Sequence, residues 1–219
     1  MAIRSVISDF GGVLTTPLIG SFMAFQDQTG ITGESLGSAM QRTYERDGKH
    51  PLYELEKGHV SEAEFLTTLR TELAVELGHE PEMHGFKEIY FEALKPNPSM
   101  IDVMREAKAA GHRMALLTNN VREWEPLWRS MLPVDEIFEL VVDSAFVGMR
   151  KPEPEIYTLT LERIRAHDPE ELGDLQFGEC LFVDDVEVNC AAARELGITT
   201  VHFADNEQAI AEIREALRA

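Results

Sequence analysis

Five short apolar runs punctuate the chain, and three of them stop abruptly at polar side chains. Ser5–Ser8 leads into Asp9, Met114–Leu117 into Thr118-Asn119-Asn120, and Cys180–Val183 into Asp184-Asp185. Phe138–Val142 and Thr199–Phe203 complete the set. Runs of this length bounded by turn residues read as strands buried on both faces. Between them the apolar positions recur at helical spacing. Ser99 is placed to cap a helix carrying Ile101, Val103, Met104 and Ala107, with Gly111 at its end. Further helices are predicted over Glu123–Met131, Glu153–Ile164, Val188–Leu196 and Glu207–Leu217. The polar stretch Ala166–Glu179 reads as loop. Strands alternating with helices in this way predict an α/β fold, a doubly wound parallel sheet with helices on both faces.

One block breaks the alternation. Residues 18–94 carry helical patterning and no strand signal. Leu18–Thr29 is closed by Gly30, and Ser35–Tyr44 follows. Ser61-Glu62-Ala63-Glu64 has capping-box form and opens a helix with Phe65, Leu66, Leu69, Leu73 and Leu77 on one side, stopped at Gly78. Phe86–Leu94 gives another helix, ended by Lys95-Pro96-Asn97-Pro98. The block is predicted to be an inserted α-helical cap over the sheet's carboxyl edge. The expected division is residues 1–16 and 96–219 for the sheet domain and 17–95 for the cap, with hinges near 15–18 and 94–98.

Composition narrows the function. There are 39 acids against 20 bases, a formal charge of −19. This excludes nucleic-acid binding through phosphates, and an anionic ligand would need a local positive site. No apolar run is long enough to span a membrane, and the amino terminus lacks a secretory pattern, so a cytoplasmic protein is expected. Cys180 and Cys190 are the only cysteines and are expected to be reduced and buried. Trp124 and Trp128 lie four apart, which places them on one helical face as core packing or, alternatively, as a cap contact or homodimer patch.

Ligands of parallel α/β sheets bind outside the carboxyl ends of the strands. Asp9, Thr118 and Asp184-Asp185 all stand at such ends, and Lys151 lies in the loop Gly148-Met149-Arg150-Lys151-Pro152. These four stations, in this order and spacing, resemble the haloacid dehalogenase-like hydrolases, with a Rossmann-like core and a helical cap after the first strand. The first motif of that family, Asp-x-Asp-Gly, stands here as Asp9-Phe10-Gly11-Gly12. The resemblance implies that Asp9 is a nucleophile and that Thr118 and the Asn119 backbone hold a phosphate oxygen. It also implies that Lys151 counters developing charge. Asp9, the Gly11 carbonyl and Asp184 would hold Mg²⁺, with Asp185 an outer or water-mediated ligand. Asn120 would face the substrate, a small phosphorylated metabolite.

Gly11 replaces the carboxylate that the family's phosphatases use as proton donor. Thr15, Thr16, Asp27, His50, His59 and His84 are candidate replacements, and the sequence does not choose among them. Three functions therefore stay open: a Mg²⁺-dependent phosphatase working through phospho-Asp9, a metal-free dehalogenase whose halide needs no proton, or a phosphate-ligand-binding regulator of weak turnover.

Overall fold

The computed structural model describes residues 2–83 and 85–218, so His84 lies outside the described residues. Five parallel strands form one sheet: β1 Ser5–Ser8, β2 Arg113–Thr118, β3 Leu140–Asp143, β4 Cys180–Asp184 and β5 Thr199–His202. Their spatial order is β3-β2-β1-β4-β5. The chain thus builds outward from β1 in one direction, then returns to its other side. The point of reversal lies between β1 and β4, where α/β sheets open a crevice beyond the strand ends.

Alternation along the strands divides the core. Val6, Met114, Leu116, Leu181 and Val183 face one side, packing with Met100, Met104, Ala209 and Ile213. The last four come from helices α6 (Pro98–Ala109) and α13 (Asn206–Ala216). Ile7, Ala115, Leu117, Cys180 and Phe182 face the other side, with Ile156, Leu161 and Ala193 from α10 (Pro154–His167) and α12 (Glu187–Glu195). Each fully buried Val, Leu, Ile, Phe or Met side chain among these contributes about 1.5–3 kcal/mol. Both cysteines are buried and free. Among the described residues no helix is long and apolar enough to cross a membrane.

Among the described residues between β1 and α6 lie five helices: α1 Ile19–Thr29, α2 Gly33–Asp47, α3 Pro51–Glu56, α4 Glu62–Leu77 and α5 Phe86–Ala93. The Ser61/Glu64 capping box forms as expected, and Gly78 ends α4 at φ 73°. Phe65, Leu69 and Leu73 are buried, whereas Leu66 is partly covered and Leu77 is exposed. The chain enters and leaves this block side by side. Thr15 and Pro96 form an antiparallel bridge, Thr16 N–H donates to the Lys95 carbonyl at 2.7 Å, and Asn97 N–H donates to the Leu14 carbonyl at 2.8 Å.

Several element boundaries differ from the sequence reading. The short helix α3 has no counterpart in it. Glu123–Met131 opens as a 3-10 turn over Arg122–Trp124 before α7 (Glu125–Ser130). Phe138 does not start β3. It closes α8 (Val134–Ile137), and its N–H donates to the Val134 carbonyl at 2.8 Å. The stretch 166–179 is not simply loop, because Asp168 caps α11 (Pro169–Leu172) and a 3-10 turn spans Phe177–Glu179.

β3 runs one residue further than predicted and ends on Asp143, opposite Thr118. Asp143 caps α9 (Ser144–Val147) by accepting from Ala145 N–H at 2.9 Å. Its second oxygen is buried without a partner among the described residues. Burial pushes its carboxyl up to about 6, against the helix-capping bond, which works to lower it. A carboxyl with a raised folded-state value binds more protons folded than unfolded, so its contribution falls as pH rises from about 4 to 6. Asp143→Asn is therefore expected to gain about 2–3 kcal/mol at pH 8 and little at pH 4. Urea unfolding of both proteins at the two pH values checks this, and equal offsets at both would contradict it.

Candidate active site

Register brings the strand ends into one row. Ser8 pairs with Leu116 on β2 and with Val183 on β4. The next residues along the three strands are therefore Leu117, Asp9 and Asp184, side by side. Asp9 N–H continues the ladder to the Val183 carbonyl at 2.8 Å. Lys151 reaches into this row from the loop before α10. Its Nζ lies 2.7 Å from Asp9 Oδ1 and 2.7 Å from Asp184 Oδ2, and donates to the Leu117 carbonyl at 3.0 Å. Three acceptors saturate the ammonium.

Asp184 is held from its other side. Its Oδ1 accepts from Val186 N–H at 2.8 Å and from Asn189 Nδ2 at 3.0 Å. Oxygens of Asp9, Asp184 and Asp185 all lie within 4.8 Å of one another. Three carboxylates and one lysine leave an excess of two negative charges when all are ionised. Burial pushes Asp9 up to about 7, Lys151 opposes this, and Asp184 and Asp185 add to it. Asp185 is raised for the same reasons, burial first and then Asp184. Burial works to lower the Lys151 value, but Asp184 and Asp9 more than reverse it, so Lys151 stays charged. The all-oxygen donor set with surplus negative charge fits a hard divalent cation.

The two glycines after Phe10 differ. Gly12 has φ 76°, and a Cβ there would lie 2.1 Å from Asp185 Oδ2. Only glycine allows the turn and leaves room for that carboxylate. Gly12 N–H donates to Thr15 Oγ1 at 3.1 Å. The three atoms nearest a Cβ on Gly11 would all belong to Leu18, its two methyl carbons at 3.2 Å and Cγ at 3.5 Å.

Thr118 is buried at the end of β2. Asn119 turns its side chain on the lysine loop: its Nδ2 donates to the Lys151 carbonyl at 3.0 Å, and its Oδ1 accepts from Lys151 N–H at 2.9 Å. This two-point clamp fixes the backbone from which Lys151 projects. Asn120 Oδ1 accepts from Val121 N–H at 2.9 Å, and its own N–H donates to Ser144 Oγ at 3.0 Å.

A cavity of about 460 Å³ opens against this edge, bounded by Gly11, Thr118, Asn119 and Asn120 on the sheet side and by α1–α5 on the other. Trp124 and Trp128 are buried within the chain as part of its wall, so they form no surface patch for a second copy. Trp128 meets Phe10 edge-on at 5.2 Å. Of the candidate proton donors, Thr15, Thr16, Asp27, His50 and His59 do not line the cavity. Thr15 is engaged with Gly12, Asp27 is exposed on α1, His50 stacks on Tyr53 at 4.1 Å, and His59 pairs with Glu54 at 3.2 Å.

Two polar residues that the sequence did not single out do line it: Glu56 and Tyr90. Burial raises the Glu56 carboxyl, and Arg150 opposes the shift. Arg150 Nε donates to Glu56 Oε2 at 2.6 Å, and its guanidinium lies 3.9 Å from the centre of the Tyr53 ring. Lys57 pairs with Glu153 as well. Helix α3 is thus tied to the loop that carries Lys151, and Arg150 has a definite contact where the sequence offered none.

A sequence model of the haloacid dehalogenase-like hydrolases matches residues 3–197. Bifunctional epoxide hydrolase 2 of Mus musculus is 25% identical over 230 residues, covering 98% of this chain. The chain spans only 39% of that relative's length. A sesquiterpene phosphatase of Aspergillus oryzae is 30% identical over 56% of this chain and 58% of its own. A haloacid dehalogenase family enzyme of Bacteroides thetaiotaomicron, solved with magnesium and inorganic phosphate, superposes with a TM-score of 0.63. It is 23% identical, over 91% of this chain and 93% of its own. The chain belongs to the haloacid dehalogenase-like hydrolases.

Proposed function

We propose that this hydrolase is a Mg²⁺-dependent phosphatase of a small cytoplasmic phosphorylated metabolite, with Asp9 as nucleophile. The observation that carries the reading is the row formed by Asp9, Lys151 and Asp184, with Asp185 beside it. A metal-free site gains nothing from three crowded carboxylates. The phosphatase among the relatives and the magnesium-and-phosphate complex of a structural neighbour support the same reading.

In this mechanism Asp9 attacks phosphorus, a P–O bond forms, and the bond to the leaving oxygen breaks. Water supplies the proton to that oxygen because Gly11 has none to give. A second water then attacks the phosphorus of the aspartyl-phosphate, releasing phosphate and restoring the carboxylate. The Thr118 hydroxyl and the Asn119 N–H hold non-transferring oxygens, Lys151 balances their charge, and Asn120 borders the substrate. Asp9, Asp184 and the Gly11 carbonyl would hold the Mg²⁺, with Asp185 as an outer ligand; bound there, the ion offsets negative charge on the phosphoryl oxygens. The insert, 17–95, acts as the cap, moving on the segments near 15–18 and 94–98 and setting specificity.

The test is release of phosphate from aryl phosphates with Mg²⁺ and its loss in EDTA. Halide release from a 2-halo acid in EDTA would instead favour the dehalogenase chemistry. Tight phosphonate binding with no ester turned over would favour a regulator.

Gly11→Asp probes the missing acid. Positioned acid–base catalysis is worth about 10²–10⁴-fold. The variant is expected to gain about 10²-fold on alkyl phosphates and little on nitrophenyl phosphate, which needs no proton. The Leu18 methyls must give way, so the gain should be larger with Leu18→Ala added. A uniform change across both ester classes would show that leaving-group protonation is not what the wild type lacks.

A further inference from the structure

We infer that the group carrying the phosphate is an apolar body that fills the cavity between the sheet edge and helices α1–α5, so that the substrate class is amphiphilic phosphate monoesters rather than sugar or polyol phosphates. This rests on the phosphatase reading and specifies its substrate.

The cavity's volume, about 460 Å³, is that of a small-molecule site. Its walls are aliphatic and aromatic. Leu36 and Leu69 come from the insert, and Phe86, Tyr90 and Trp124 form an aromatic cluster with centroids 5.0–6.3 Å apart. Three of its polar side chains are engaged elsewhere. Glu56 is held by Arg150, the Asn119 side chain by the Lys151 backbone, and Asn120 Oδ1 by Val121 N–H. The indole N–H groups of Trp124 and Trp128 are exceptions, both buried with no acceptor among the described residues. A polyol would leave most of its hydroxyls unpaired against such walls, and each would weaken binding about tenfold or more.

Two further features point the same way. The Leu18 methyls cover Gly11, so the space beside the leaving oxygen is apolar where the family's phosphatases place a carboxylate. The apolar surface also continues outward. Ile19 and Phe22 line the cavity while being 65% and 38% exposed, and Met23 beside them is 59% exposed. Three large apolar side chains on one turn and a half of α1 form an apolar lip at the mouth.

The test uses para-alkylphenyl phosphates, whose shared phenolic leaving group isolates the effect of the tail. With Mg²⁺, kcat/KM is expected to rise about fourfold per added methylene from methyl upward until the cavity is full. A para-dihydroxypropyl tail should fall at least tenfold below the propyl compound. Leu36→Trp, which narrows the cavity, should reduce the octyl-to-methyl ratio at least tenfold; Met40→Phe serves if that variant does not fold. A flat or falling response to tail length, or preference for the dihydroxy tail, overturns the inference while leaving the phosphatase reading intact. If not even phenyl phosphate is hydrolysed, the phosphatase reading fails on its own. Calorimetry with para-alkylbenzylphosphonates then decides the inference: affinity rising with tail length supports it, and affinity independent of length overturns it.

Discussion

Asp9→Asn is expected to lose at least about 10³-fold in kcat on every phosphate ester while remaining folded. The amide keeps the shape of the carboxylate but cannot displace an alkoxide from phosphorus. Its fold should survive because Asp9 is not the only anchor of Lys151, which keeps Asp184 at 2.7 Å and the Leu117 carbonyl at 3.0 Å. The change also removes one charge from a crowded group whose members raise one another, so stability should hold or rise slightly. A covalent readout separates loss of the proposed nucleophile from general damage. Borohydride reduction during turnover should convert Asp9 of the wild type to homoserine, seen as a mass shift in the amino-terminal peptide, and should leave the variant unmodified. Full turnover by the variant, or a trapped phosphate on another residue, would remove Asp9 from the mechanism.

That carboxylate was legible because it ends an apolar run. So were Asp184 and Thr118, since a strand's carboxyl end is readable wherever a buried run stops at a polar side chain. Which groups would touch was less so. Lys151 is distant in sequence from all three acceptors, and only the register of β1 with β2 and β4 puts those acceptors in a row. The Asn119 clamp on the lysine loop is invisible in a single sequence, because an asparagine in a turn has many local uses. Helix α3 was missed because six residues carry too little periodicity to register. With it went Glu56 and its bond to Arg150. Phe138 was misassigned because an aromatic beside an apolar run suits a strand start or the end of a short helix equally well. The segment Asp168-Pro169 did hold a helix-start signal, a capping side chain followed by proline, but its single turn gave no pattern to confirm it. The adjacent glycines could not be ranked from sequence; φ and the clearance to Asp185 separate them.

Replacing Lys151 by methionine should have the second-largest effect, and on stability as well as rate. Lys151 is 1% exposed and bridges two acids that are themselves buried. Removing one partner of such a cluster leaves uncompensated charge, at a cost of about 3–5 kcal/mol. The acids can relieve this by taking up protons. Burial already places Asp9 at about 7 beside the lysine, and without the ammonium its value rises further. A carboxyl with a raised folded-state value favours the folded state at low pH, and that contribution is lost as pH rises through it. Lys151→Met should therefore be closest to the wild type at pH 6 and furthest below it at pH 8. Millimolar Mg²⁺ should restore stability at pH 8 to the variant more than to the wild type, since a cation held by Asp9 and Asp184 replaces the missing charge. Activity should stay down about 10²–10³-fold even when the fold is restored, because in the proposed mechanism the non-transferring phosphoryl oxygens lose their fixed positive partner. Urea unfolding at both pH values, with and without Mg²⁺, alongside phosphate release, reads all of these effects. A variant as stable as the wild type at pH 8 without Mg²⁺ would mean that the row at the strand ends is not held together by Lys151.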